Sequence, residues 1–388
     1  MVNKRVAMTS GVLAAAILAA GGCGSDESTT SSSSPAASAS QGGSQGPGGG
    51  GPGGQLQTFT AVNLNTNGDS PGGANTAEVV TAAKAFLATL DAATLKKVRY
   101  DFSNNQARQT WSNYPTSTVA REGIALTDLS EAQRTAALAM LKVALSDDGY
   151  QQVLNIQKAD DHLNSLGGEG SDGFGALVDY NVAVFGEPSA TTPFMLQFGG
   201  HHLARNLTYN GDKVSQTPQF VGSEPVSFEV NGATVEPVKA ESTAIFAMVA
   251  ALSDDQKTAA KLTSGTYDDL LMGPTHDDGV FPASEGLAVA ELSDSERALV
   301  VAAMKAYVAD LDDVAAAKSL AKYESELAST KIAWANNTGP SEESSYIRID
   351  GPSVWIEFIN TRSRSTPDIH FHAVYRDKTN DYGSTKPS

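Results

Sequence analysis

Between residues 74 and 166 apolar side chains recur every three or four positions, as in Val79-Val80-Ala83-Phe86-Leu87-Leu90 and in Ala136-Ala137-Met140-Leu141-Ala144-Leu145. That period lays an apolar stripe along one face of a helix, so this stretch is expected to be helical. One phrase, Leu-Ser-x-x-(Gln/Glu)-(Arg/Lys), recurs at residues 129–134, 252–257 and 292–297. It spells a capping box: the Ser side chain accepts from the amide three residues on, the Gln or Glu reaches back, and the leading Leu can act as a hydrophobic staple. Helices are therefore expected to begin at Ser130, Ser253 and Ser293. Their unequal spacing excludes a regular solenoid and suits a shared local solution, compatible with an internal duplication.

After Asp179 the rhythm changes to short β-like runs at 180–185, 194–198, 203–209 and 219–221, separated by Gly, Pro and Asn-Gly turns. Helices resume near Glu241 and continue, around a loop at 265–286, to about Leu327. Strands then close the chain at 331–335, at 346–360 with a break at Gly351-Pro352, and at 369–375. Helices and strands are segregated rather than alternating, which predicts an α+β fold with a mainly antiparallel sheet and helices packed on it. The two β regions are expected to share that sheet.

The N-terminus has a different composition. Lys4 and Arg5 precede an apolar run too short to span a membrane comfortably, which ends in Leu18-Ala19-Ala20-Gly21-Gly22-Cys23. Small residues before the chain's one cysteine resemble a bacterial lipobox, in which the cysteine is lipidated after cleavage. The expected organisation is a lipoprotein signal peptide over 1–22, a lipidated Cys23 with a disordered Ser/Gly-rich tether over 23–55, and a single α+β domain over 56–388. This places the protein on the extracytoplasmic face of a bacterial cell membrane, with the membrane as a partner through its lipid. A lone cysteine also excludes disulfides, iron–sulfur clusters and thiolate zinc sites. With 27 Lys+Arg against 44 Asp+Glu the chain is strongly acidic, and nucleic acid is excluded as a partner.

Four of the six histidines fall in two tight pairs. Strand alternation puts His370 and His372 on one face with Phe371 on the other, a rigid offer of two nitrogen ligands. His201 and His202 follow Gly199-Gly200, and one of them is expected to face the other pair. Glu357 interrupts the apolar strand Trp355-Ile356-Glu357-Phe358, where a carboxylate needs a cation, a proton or a strong donor. Arg348 raises the same question in its own strand. Three arrangements satisfy these demands: one divalent ion held by His201 or His202 with His370, His372 and Glu357; a structural network in which Arg348 pairs with Glu357; or a metal-free acid/base site. The acidic pairs Asp160-Asp161, Asp254-Asp255, Asp268-Asp269 and Asp312-Asp313 read as solvated helix ends, and His276-Asp277-Asp278 as a surface turn. The G-x-G-x-x-G at 168–173 follows a helix and carries acidic residues, so it reads as a loop, and no nucleotide cofactor is expected.

Several stretches together resemble one family. They include Val184-Phe185-Gly186-Glu187-Pro188, Phe198-Gly199-Gly200-His201-His202-Leu203, Tyr346-Ile347-Arg348-Ile349-Asp350-Gly351-Pro352 and His370-Phe371-His372-Ala373-Val374-Tyr375-Arg376-Asp377, and the family is the domain-of-unknown-function family 3500. The resemblance covers nearly all of 75–383 in order; it implies one domain and no reaction. The residues themselves suggest an exported, lipid-anchored, metal-dependent enzyme, with hydrolysis of a small-molecule substrate as the simplest chemistry. His201, His202, His370, His372 and Glu357 are its ligand candidates, Glu357 and His202 its acid/base candidates, and Arg348 and Arg376 candidates to hold an anionic group. Nitrogen and carboxylate ligands suit zinc or copper, then iron. The alternative is a non-enzymatic surface lipoprotein that binds a solute or a metal.

Overall fold

The computed structural model describes residues 60–167, 173–363 and 368–385. The first half of the folded chain runs α1 (Thr76–Ala88), α2 (Ala92–Val98), β1 (Arg99–Tyr100), α3 (Asn105–Arg108), β2 (Ile124–Ala125), α4 (Glu131–Ala144) and α5 (Asp147–Leu166). Its strands follow: β3 (Asn181–Phe185), β4 (Phe194–Gly199), β5 (Leu203–Asn210), β6 (Lys213–Ser215) and β7 (Gln219–Ser223). A small hairpin, β8 (Phe228–Val230) with β9 (Ala233–Val235), leads to the second half. That half runs α6 (Lys239–Ala250), α7 (Asp254–Ala260), β10 (Leu287–Ala288), α8 (Asp294–Val308) and α9 (Asp313–Ser325). Its strands are β11 (Lys331–Asn336), β12 (Ser345–Asp350), β13 (Val354–Arg362) and β14 (Ile369–Asp377).

The expected α+β class holds, and the two β regions share one sheet of order β1-β3-β4-β5-β7-β14-β13-β12-β11-β10, with β2 on β3 and β6 on β5. Its strand pairs are antiparallel apart from β1 with β3. The central eight strands read as two copies of one four-stranded unit, β3-β4-β5-β7 and β11-β12-β13-β14, with β2 and β10 antiparallel on the corresponding edges. Helix pair, short strand and capped helices precede β3 through β7 as they precede β11 through β14, and the halves meet where β7 pairs antiparallel with β14, Gln219 opposite Tyr375. Equivalent strands that pair antiparallel are related by a local two-fold. A second contact lies on the same axis, the antiparallel bridge of Leu145 with Leu311, which precede the N-caps of α5 and α9.

The recurring phrase marks this duplication incompletely. Ser130, Ser253 and Ser293 all make the expected capping boxes, at the starts of α4, α7 and α8. The fourth equivalent start, α2, is capped by Asp91, whose carboxylate accepts from the Thr94 amide. Each such cap contributes ~1 kcal/mol.

Helices cover one face of the sheet. There Val182, Leu196, Leu203, Leu207, Val221, Phe371, Ala373 and Tyr375 pack with Val79, Phe86, Met140, Ile156, Val249, Met304 and Tyr307 in one continuous core. Loops cover the other face, where Trp111, Phe185, Met195, Phe220, Val374 and Tyr382 form a second, smaller core. Among the described residues no helix is long and apolar enough to cross a membrane.

Candidate metal centre

The cluster is assembled at the end of the sheet where the β4–β5 turn passes beside β14. Gly200 donates its amide to Leu203 at 2.9 Å and closes a tight turn that carries His201 and His202 at its tip. His202 then docks on β7: its carbonyl accepts from the Gly222 amide at 2.8 Å. Gly222 is the register partner of His372, and a Cβ at that position would lie 2.7 Å from Cδ2 of His202. The notch left by its missing side chain is what admits the imidazole. His370 and His372 project from the loop-covered face of β14, as strand alternation requires, together with Val374.

Three imidazoles converge. The rings of His370 and His372 each lie 5.5 Å from that of His202, and their own Nε2 atoms are 3.0 Å apart. Ligand atoms of His202, His370 and His372 all fall within 4.8 Å of one another. Two nitrogens ~2.1 Å from one ion, at 90–110° to each other, are separated by about 3.0–3.4 Å, so the spacing fits a shared cation. Nδ1 of His372 lies 2.9 Å from Asp269, and the Thr361 hydroxyl is 2.8 Å from Nε2 of His370. A carboxylate behind a ligating imidazole fixes its orientation and raises its basicity. The centre is recessed but reached by solvent: His202 is fully buried, His370 and His372 keep 8% and 7% exposure, and Asp269 keeps 46%.

A second group adjoins the first. Asp160, His201 and His202 also bring ligand atoms within 4.8 Å of one another. Nδ1 of His201 is 3.5 Å and Nδ1 of His202 is 3.8 Å from the same oxygen of Asp160, whose other oxygen accepts from the Tyr180 hydroxyl at 2.5 Å. Burial, then the neighbouring His201, pushes the imidazole of His202 down to about 3, so it is held neutral, the state in which a histidine ligates.

Of the residues singled out from sequence, the structure brings together the four histidines, with His202 alone completing the His370/His372 pair. Glu357 stands apart. It shares the face of β14 that carries the histidines, through its register partner Val374. Yet its carboxylate accepts from the amides of Leu271 and Met272 at 3.0 and 2.8 Å and from the Tyr346 hydroxyl at 2.6 Å. It holds down the 262–286 loop, and it belongs to neither ligand group. Burial raises its carboxyl, against the pull of those donors. Arg348 is its register partner, as the network reading required, but the guanidinium lies over the ring of Trp355, 4.9 Å from its centre. Arg376 is committed as well: it pairs with Asp277 at 2.5 Å and Asp381 at 2.8 Å and donates to the carbonyls of Met272 and His276. Asp277 is thus buried rather than part of a surface turn. Cys23, Gly168 and Asp172 lie outside the described residues.

Sequence reasoning missed Asp160 and Asp269. Asp160 is fully buried although the pair Asp160-Asp161 reads as a solvated helix end. A signal was present: Asp160 continues the stripe Val153, Ile156, Leu163 on α5, so its face was apolar. Asp269 sits in a loop with no period to read.

The fold and site define an α+β protein with histidine and aspartate groups that could hold a metal ion. The chain belongs to the family described as proteins of unknown function, DUF3500, whose model matches residues 72–384, as the resemblance implied. No curated protein and no solved structure matches it.

Proposed function

We propose that this is an exported protein, anchored through a lipid on Cys23, whose three-histidine centre binds zinc or copper, with iron third, and serves a metal-dependent hydrolase. The observation that carries the metal reading is the convergence of His202, His370 and His372, buried and with ligand atoms within 4.8 Å. Three nitrogen ligands leave a coordination position for water, and a bound divalent ion lowers the pKa of that water toward neutrality. His372 is braced by Asp269, which is exposed enough to meet an incoming substrate.

The experiment is thermal melting with and without chelator, on the parent and on His372→Ala, beside elemental analysis of protein purified without a polyhistidine tag. Metal in the parent, a melting temperature that falls with chelator, and loss of both effects in His372→Ala support the reading. A parent that stays metal-free after reconstitution with zinc, copper and iron, and melts identically with chelator, removes it.

A second reading, a surface protein that captures a metal or small solute without turnover, is favoured by the engagement of Glu357 and Arg376. Both hold the 262–286 loop through four contacts to its backbone, at Leu271, Met272 (twice) and His276, and so are not free to act on a substrate. Hydrolysis of ester, amide or phosphoester probes by the metal-loaded parent, abolished in His372→Ala, separates the two readings.

A further inference from the structure

We infer that the two ligand groups form one binuclear centre bridged by His202, with Nε2 on an ion shared with His370 and His372 and Nδ1 on a second ion shared with His201 and Asp160. The inference rests on the metal reading above and extends it. Three atoms face each other on the Asp160 side: its Oδ1, Nδ1 of His201 and Nδ1 of His202. All three are buried and none has a hydrogen-bond partner. Their separations, 3.5 and 3.8 Å, are too long for N–H···O bonds. A buried carboxylate oxygen left unsatisfied opposite two buried nitrogens costs several kcal/mol, and native proteins fill such gaps. Ligand atoms about 2.1 Å from a common ion, at angles between tetrahedral and somewhat wider, are roughly 3.4–3.8 Å apart. The gap has that size.

Nε2 of His202 is orphaned as well as Nδ1, in a ring with no exposure. The Cδ2 edge, to which Nε2 is bonded, is the edge that lies over Gly222, the register partner of His372. The two nitrogens therefore point to opposite groups. A neutral imidazole has one N–H and one lone pair, and here neither finds a partner; an ion on each side satisfies both. Binding the second ion breaks the remaining N–H bond and forms a nitrogen–metal bond. The proton goes to bulk water and no electrons are transferred.

The test uses the full chain, stripped with chelator, reconstituted with zinc, dialysed and analysed for zinc per chain. The expected result is two, falling to one in His201→Ala and to one in His370→Ala. One zinc in the parent overturns the second site and leaves the three-histidine reading intact; none overturns both. Reconstitution with copper(II) tests the bridge without any variant. Two coppers whose electron paramagnetic resonance intensity is far below that of two isolated ions support an imidazolate bridge, and full intensity for both coppers overturns it.

Discussion

Gly222→Ala is the smallest change that should disable the centre. The added Cβ would lie 2.7 Å from Cδ2 of His202 and 2.7 Å from the carbonyl oxygen of Phe371. The carbonyl belongs to β14, where Phe371 pairs with Ser223, so relief takes both a shift of the β7–β14 pairing and a displacement of the imidazole. Restoring an ordinary carbon–carbon contact of ~3.5 Å requires a displacement of roughly 0.8 Å, several times the ~0.2 Å tolerance of a metal–nitrogen bond. One of three ligands is then lost. Zinc affinity should fall at least ~100-fold, about 2.7 kcal/mol, while the metal-free protein loses ~1–3 kcal/mol from overpacking. Gly211→Ala is the control: its φ of +64° makes any side chain strained, but nothing lies within 4 Å. It should lose ~1 kcal/mol and keep zinc affinity. The assay is competition with a zinc indicator, beside melting with and without chelator. A folded Gly222→Ala protein with parental zinc affinity would refute the placement of His202 in the centre.

Two further outcomes are expected. Burial, then the neighbouring Asp310, pushes the Glu241 carboxyl from its ordinary 4.5 up to about 8. The native state therefore holds a proton that the unfolded chain has released, so this contribution is complete below pH 4.5 and is lost as pH rises to about 8; over that window it amounts to on the order of 5 kcal/mol. Glu241→Gln should match the parent within ~1 kcal/mol at pH 5 and exceed it in urea unfolding at pH 9 by a few kcal/mol, and parallel pH profiles would contradict this. Cys23→Ser should move the protein from the membrane fraction to the soluble one; unchanged fractionation and an unprocessed mass would show that Cys23 carries no lipid.

Much of the fold was legible because period speaks directly to secondary structure. The runs at 203–209 and 331–335 became β5 and β11 within a residue, and the break at Gly351-Pro352 became the turn between β12 and β13. The duplication was only half legible, since its fourth helix start uses Asp91 where the others use Ser. In the site, His370 and His372 declared their common face by alternation. Glu357 declared a need for donors but not which donors, because backbone amides of Leu271 and Met272 leave no mark in side-chain pattern. Arg376 drew attention as a cation, yet its partner Asp277 comes from a loop whose path no local rule predicts.

The internal two-fold supplies a comparison within the molecule. The turn carrying His201 and His202 has its counterpart at Pro352 and Ser353. Gly351 donates to Val354 at 2.8 Å as Gly200 does to Leu203, and Lys378 donates to the Ser353 carbonyl at 2.7 Å as Gly222 does to that of His202. Asp160, toward the end of α5, corresponds to Glu326 at the end of α9. There the fold found a closed solution: Glu326 accepts from the amide and hydroxyl of Ser353 at 2.9 and 2.7 Å, and both its oxygens are satisfied. In the first copy the same backbone instead carries two imidazoles facing a carboxylate across 3.5 and 3.8 Å, with Gly222 where the other copy has Lys378. A need of the fold cannot explain that choice, because the second copy meets the same need with a serine and direct hydrogen bonds. Nor does stability explain it, since unsatisfied buried nitrogens and a bare glycine on a strand both cost free energy. What the first copy gains is a set of converging ligands, which has value only if something binds there.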